Sequence, residues 1–180
     1  MLRITVPDRE YWDERKQEFV NIKGGELKLE HSLVSIAKWE SKWNKSFLHT
    51  NEKTDEETID YVRCMTLTHN IDPDIYKNLS IQNIEDIKNY INAPMTATVF
   101  ADTGDNSTSR EVVTAELIYY WMIAYNIPFE CQKWHINRLL TLVRICGIKN
   151  NPPKKMSRGE IMRRNAALNA KRRKQLNTKG

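Results

Sequence analysis

The sequence predicts an α+β protein, mainly α, with a small N-terminal antiparallel β-sheet (a hairpin plus a strand) packed on a helical body and a basic helical C-terminal tail. Two patterns carry the fold class: alternating, β-branched runs are confined to the first thirty residues, and three- and four-residue apolar spacing dominates from there on. A third observation sets the tail apart. Residues 154–180 hold ten Lys/Arg against one acid, Glu160, a formal charge of +9; the whole chain carries +5, so residues 1–153 sum to −4. The cationic character belongs to one end of a mildly acidic protein.

Leu2 to Val6 (LRITV) alternates and ends at Pro7-Asp8, as a short strand does. Glu18 to Ile22 and Glu26 to Glu30 also alternate, and Lys23-Gly24-Gly25 between them reads as the turn of a hairpin. Such a sheet presents Leu2, Ile4, Val6, Phe19 or Val20, Ile22, Leu27 and Leu29, and needs a helix to cover it. The covering segment is His31 to Asn44, where Leu33, Ile36, Ala37, Trp39 and Trp43 recur at helical steps, with Phe47 beyond and Ser32 as N-cap. Thr54 and Glu57 form a capping box opening a helix that carries Ile59, Val62 and Met65 toward the core. Asp72-Pro73 breaks it.

Ser80 to Asn92 places Ile81, Ile84, Ile87 and Ile91 on one stripe of an amphipathic helix closed by Pro94. Met95 to Phe100 reads as a strand, and Ala101 to Ser109 as a polar loop. Thr108 and Glu111 form a second capping box for Glu111 to Asn126, a helix apolar nearly all round in its second half and therefore expected at the centre of the helical layer. Pro128 suits the first turn of the next helix, Phe129 to Ile148, so that residues 111–148 form an αα-hairpin. Asn150-Asn151-Pro152-Pro153 ends the body, because paired prolines cannot continue a helix. Ser157 to Gln175 follows as a helix, with Ser157 and Glu160 as its capping box. The organisation expected is a β region over 1–30, a helical body over 31–150 and a basic tail over 151–180.

Composition excludes several classes. The longest apolar stretch, Leu117 to Tyr125, is nine residues, against the roughly 20 needed to cross a bilayer, so no membrane is expected. Acids in MLRITVPDREYWDERK stand where a signal peptide would be apolar. Cys64, Cys131 and Cys146 include no CxxC pair, which reads as buried thiols in a reducing compartment.

Cys131 and His135, four apart, could supply two metal ligands, but structural zinc needs four and no second close pair exists; helix packing is the reading preferred, and no cofactor or metal is expected. The acids at Asp55, Glu56 and Glu57 suit a helix N-terminus without invoking a catalytic dyad. Lys23-Gly24-Gly25 lacks the remaining residues of a phosphate loop. The aromatics Trp39, Trp43, Phe47, Tyr119, Tyr120, Trp121, Tyr125 and Trp134 have core spacing, and any left exposed would be interface anchors. No reaction is spelled out, and the protein is not expected to be an enzyme.

The candidate site is therefore the tail, with Lys154, Lys155, Arg158, Arg163, Arg164, Lys171, Arg172, Arg173 and Lys174 as partner-binding residues. A concentrated cationic extension suits phosphate, an acidic protein surface or a neighbouring copy of the chain. Ile161 and Leu168, seven apart, add a weak docking stripe.

Three stretches carry a resemblance: LEHSLVSIAKWESKW (Leu29 to Trp43), ELIYYWMIAYNIPFECQKWHINRLLTLVRICGIKNNPPKKMS (Glu116 to Ser157) and ALNAKRRKQLNTKG (Ala167 to Gly180). They resemble a family of small virion morphogenesis proteins from tailed bacteriophages and prophages of Gram-positive hosts, over essentially the whole chain, similar in size and helical character to tail assembly chaperones. The resemblance implies binding without catalysis, with phage tail or neck proteins as partners, the tape measure protein among them, and residence in the host cytoplasm during assembly or in the virion. Self-association through the same surfaces is a further expectation. The alternative is a nucleic-acid-binding virion or DNA-packaging protein that uses the tail as a phosphate clamp.

Overall fold

A single β-ribbon forms the N-terminal region of the computed structural model, which describes residues 1–14, 17–50, 52–100, 111–150 and 157–177. Strand β1 (Leu2–Val6) pairs antiparallel with β4 (Gly25–Leu29), Leu2 opposite Leu29 and Val6 opposite Gly25. Strand β2 (Arg9–Asp13) pairs with β3 (Glu18–Ile22) in the same register, Arg9 opposite Ile22. The two ladders are thus one long hairpin, interrupted where Pro7-Asp8 faces Lys23-Gly24. The expected Gly-Gly turn joining β3 to β4 is corrected: these strands do not pair, and the charged segment Arg9–Asp13, absent from the sequence expectation, is a strand.

The interruption has a local cause. Pro7 has no N–H to give the ladder, and the strands close in until a Cβ on Gly24 would lie 2.0 Å from the Val6 carbonyl oxygen. Gly24 N donates instead to Asp8 Oδ1 at 2.6 Å. Asn78, at the end of a 3-10 turn (Pro73–Asn78), donates its side-chain amide to the Ile22 carbonyl at 3.1 Å and holds the ribbon there.

Ile4, Val6, Leu27 and Leu29 are buried on the inner face of β1 and β4 and share one core cluster with Leu33, Ile36 and Trp39 of helix α1 (Leu33–Trp43). This helix, expected to cover the sheet, lies mainly against other helical elements. Ser32 caps it as expected, and Asn44 closes it in the left-handed conformation. Around α1 pack α2 (Asp55–Met65), α4 (Ala115–Ala124) and a second 3-10 turn (Phe129–Lys133), while α3 (Ile81–Asn92) packs on β1. The centre of the helical layer is therefore α1, whose Leu33, Ile36 and Trp39 are fully buried, and not α4, which leaves Tyr120 and Ile123 exposed.

Three more expectations change. Met95 to Phe100 is not a strand; Met95 has φ of 50° and Val99 is 91% exposed. Alternation makes no strand without a partner for its backbone groups. Thr108 lies outside the described residues, and α4 is capped by Thr114, so Glu111 precedes the helix. Finally α5 (Ile136–Asn150) starts seven residues later than expected. His135 is held extended in a bridge to Ser32, and Ile136 N donates to the His31 carbonyl at 2.8 Å, so the αα-hairpin gains a 3-10 turn between its helices.

The chain divides into two compact units, Met1–Cys146 and Gly147–Gly180. Within the first, no described buried side-chain N or O lacks a partner. Glu40 shows how this is achieved: its buried carboxylate accepts from Phe47 N and from Ala115 N, both at 2.7 Å, joining α1, the following loop and the first turn of α4. Carboxylate at a helix N-terminus is favoured by the helix dipole as well. Glu40→Ala leaves both amides without their acceptor, and urea denaturation should show a loss of roughly 2–4 kcal/mol; a change below about 0.5 kcal/mol contradicts this role.

Candidate partner-binding surfaces and a buried imidazole pair

Helix α6 (Arg158–Leu176) forms much as expected, with both bonds of the Ser157–Glu160 capping box and Asn177 as left-handed C-cap. Alanine, arginine and lysine are good helix formers, which accounts for its length. No residue of α6 is buried, and Ile161, Met162, Leu168 and Leu176 are all exposed. Seven of the nine expected binding residues lie on it: Arg158, Arg163, Arg164, Lys171, Arg172, Arg173 and Lys174; Lys154 and Lys155 lie outside the described residues. At 3.6 residues per turn, Arg158 and Arg172 share one side while Arg163 and Lys174 lie opposite. The charge encircles the helix.

Cys131 and His135 are not on one helix face. Cys131 is buried in the second 3-10 turn, and His135 precedes α5. His135 Nε2 donates to the Tyr90 carbonyl at 2.9 Å and Nδ1 accepts from Asn137 N at 3.3 Å, which fixes a neutral tautomer. His31, which the sequence reading passed over, lies beside it with ring centroids 5.0 Å apart and shares a hydrogen bond between Nδ1 and the Tyr61 hydroxyl. Tyr90 donates to Glu30 Oε1 at 2.5 Å. Burial, and then the neighbouring His135, hold His31 far below the usual imidazole value, at about 3. Burial also lowers His135. Among the described residues no group of three His, Cys, Asp or Glu could hold a metal, and the three cysteines form no disulfide. This cluster is a satisfied junction between elements.

Two of the four acids of α2, Glu57 and Asp60, are likewise committed. Glu57 completes the capping box with Thr54, and the Lys45 ammonium, bonded at 2.5 Å, holds its carboxyl below the usual range. Asp60 accepts from Lys42 and from Trp43 Nε1.

Surface features of the first unit are more open. A groove of about 670 Å³ runs between α2 and α3, with Val62, Tyr76 and Ile87 as its floor and Ile59 and Ile84 at its lip. Lys53, Lys77 and Lys88 stand around it. The sequence expectation turned Ile59 toward the core and put Ile81 and Ile84 on the apolar stripe of an amphipathic helix; all three are exposed, Ile81 at 82%. Among the aromatics expected in the core, Trp39 and Phe47 are buried and Tyr120 is exposed. A second exposed set was not anticipated: Trp12 and Phe19 face each other across the distal ribbon, centroids 5.0 Å apart, 49% and 67% exposed. Strand alternation could have found it, since Val20 and Ile22 turn inward and put Phe19 outward.

Comparison with protein-family models, with curated proteins and with solved structures yields no match to this chain. No helix among the described residues is long and apolar enough to cross a membrane.

The imidazole pair makes stability depend on pH in a stated direction. The unfolded chain protonates His31 near 6.5 and the folded one only near 3, so its contribution is complete above pH 6.5 and declines as pH falls toward 3. Between pH 6.5 and 5 this amounts to about 2 kcal/mol, at about 1.4 kcal/mol per pH unit for one imidazole. Urea midpoints at pH 7.5 and 5.0 should differ accordingly; equal midpoints would show that the imidazoles protonate freely in the fold.

Proposed function

We propose that the protein is a non-enzymatic assembly or structural protein of a phage tail or neck, similar in role to tail assembly chaperones, that binds other phage proteins through its helical body and its cationic tail. The observation that carries this reading is α6: nineteen residues of helix with seven Lys/Arg, four exposed large apolar side chains and nothing buried. Most helical stability in proteins comes from tertiary packing of an apolar face, and a partner that covers Ile161 and Leu168 supplies that packing. The resemblance to phage morphogenesis proteins supplies the class of partner, with the tape measure protein foremost.

The tail's cations work mainly on encounter rate and orientation, because exposed ion pairs contribute about 0–1 kcal/mol each. The expected complex is salt-sensitive, held by apolar contacts once formed. Its setting is the host cytoplasm during assembly, or the virion.

The encirclement of α6 by charge favours a second reading, a phosphate clamp on nucleic acid. Neutralising about six to ten phosphates would make affinity fall by about 10³- to 10⁵-fold between 50 and 200 mM salt. A gel shift with double-stranded DNA at low salt separates the two.

Co-expression of the full chain, and of a chain ending at Pro153, with the tape measure protein of the same phage tests the leading reading. The expected outcome is capture by the full chain, at least tenfold weaker capture by the truncated one, and an unchanged thermal midpoint for the body. Equal capture by both chains would reject the tail's role.

A further inference from the structure

The distal half of the ribbon has an outward face that no other described residue covers. Its members are Glu10, Trp12, Glu14, Gln17, Phe19 and Asn21, all exposed. Among the described residues the face carries two glutamates and no cation, because Arg9 lies on the other side of the pleat. At its middle stand the two aromatic rings. The inward side carries Tyr11 and Val20, half-buried, and Ile22, buried, and is tied down through Asn78. Two large aromatic side chains in edge-to-face contact at the end of a polar ribbon are a poor use of residues unless something buries them.

The groove between α2 and α3 is the complement of this face. It is apolar, it has room for bulky side chains, and its charge is on balance the opposite one, with Lys53, Lys77 and Lys88 around it against one acid, Asp55. Lys77 is paired with Asp74 at 2.8 Å, and Lys53 donates to the Thr50 carbonyl with its ammonium 4.3 Å from the Phe47 ring centroid. Lys88 has no ion pair among the described residues, and neither does Glu10 or Glu14. The arm cannot serve its own groove in this conformation, since both rings are exposed.

We propose that the ribbon of one copy docks Trp12 and Phe19 in the α2–α3 groove of a second copy, with Glu10 and Glu14 against the lysines of its rim. Two different surfaces meet in this contact, so it either propagates head to tail into a ring or filament, or closes as a reciprocal pair in which each copy lends an arm. The aromatic rings supply the anchor and the charges the orientation. This contact stands apart from the capture of other proteins by α6.

Sedimentation velocity of the purified full chain over a range of about 1 to 200 μM tests it. Mass should rise with concentration. Trp12→Ala with Phe19→Ala, and separately Ile84→Glu, should each weaken association at least tenfold with an unchanged circular dichroism spectrum. Mixing these two variants should regenerate a one-to-one complex, because one intact groove and one intact arm remain. Glu10→Lys and Lys88→Glu, exposed charges whose reversal spares the fold, should each weaken association several-fold and together restore part of it. A wild-type chain that is monomeric throughout the range overturns the proposal, even if its groove takes an acidic partner protein. An assembly indifferent to both the arm and the groove variants overturns it too, and points to a different pairing surface. Neither failure touches the truncation experiment, which reads α6 alone.

Discussion

The fold of the first unit depends on one short junction, Lys28 to Ser35, where strand β4 becomes helix α1. Glu30 N donates to the Met65 carbonyl at 2.9 Å, Leu67 N to the Lys28 carbonyl at 2.7 Å and Ile136 N to the His31 carbonyl at 2.8 Å. The end of α2 and the start of α5 are thus tied to the same eight residues. Tyr90 of α3 joins through Glu30 and His135. A backbone this deeply enclosed must satisfy every polar group internally, and it does so only while both imidazoles stay neutral. Two features follow from that requirement: the late start of α5, and the dependence of the core on a pair of histidines that never meet solvent.

Local signals in the sequence transferred well to the structure. The caps at Ser32, Thr54 and Ser157 were legible because a capping box is written within four residues, and the mainly helical α+β class followed from periodicity. What failed was non-local. Lys23-Gly24-Gly25 has the same composition whether it turns a hairpin or faces a proline across a ribbon; only Pro7, seventeen residues before Gly24, decides. Arg9–Asp13 carries too much charge to read as a strand, since its apolar positions serve an arm and not a core. The apolar girth of α4 could not rank it below α1, because centrality depends on partners such as Glu40, whose two amide donors lie in separate segments.

The misplaced isoleucines are informative for the same reason. A stripe at Ile81, Ile84, Ile87 and Ile91 reads as a buried face, and its second half is one. In its first half Ile81 is exposed and Ile84 stands at the lip of the groove, so helical apolar spacing there does not mean burial. Sequence periodicity cannot separate a core face from a docking face, as both obey the same spacing. The tail was legible as an exposed cationic helix and illegible as to its partner, because charge identifies a sign and not a molecule.

The central claim is a division of labour: a globule that satisfies its own buried polar groups, and a basic helix that buries none of its residues. Native-state hydrogen exchange on the free full chain tests it most directly. The amides of Ile36 to Trp39 in α1 should exchange only through global unfolding, while those of Ile161 to Arg173 in α6 exchange orders of magnitude faster. Equal protection of the two helices in the absence of any partner would contradict the account.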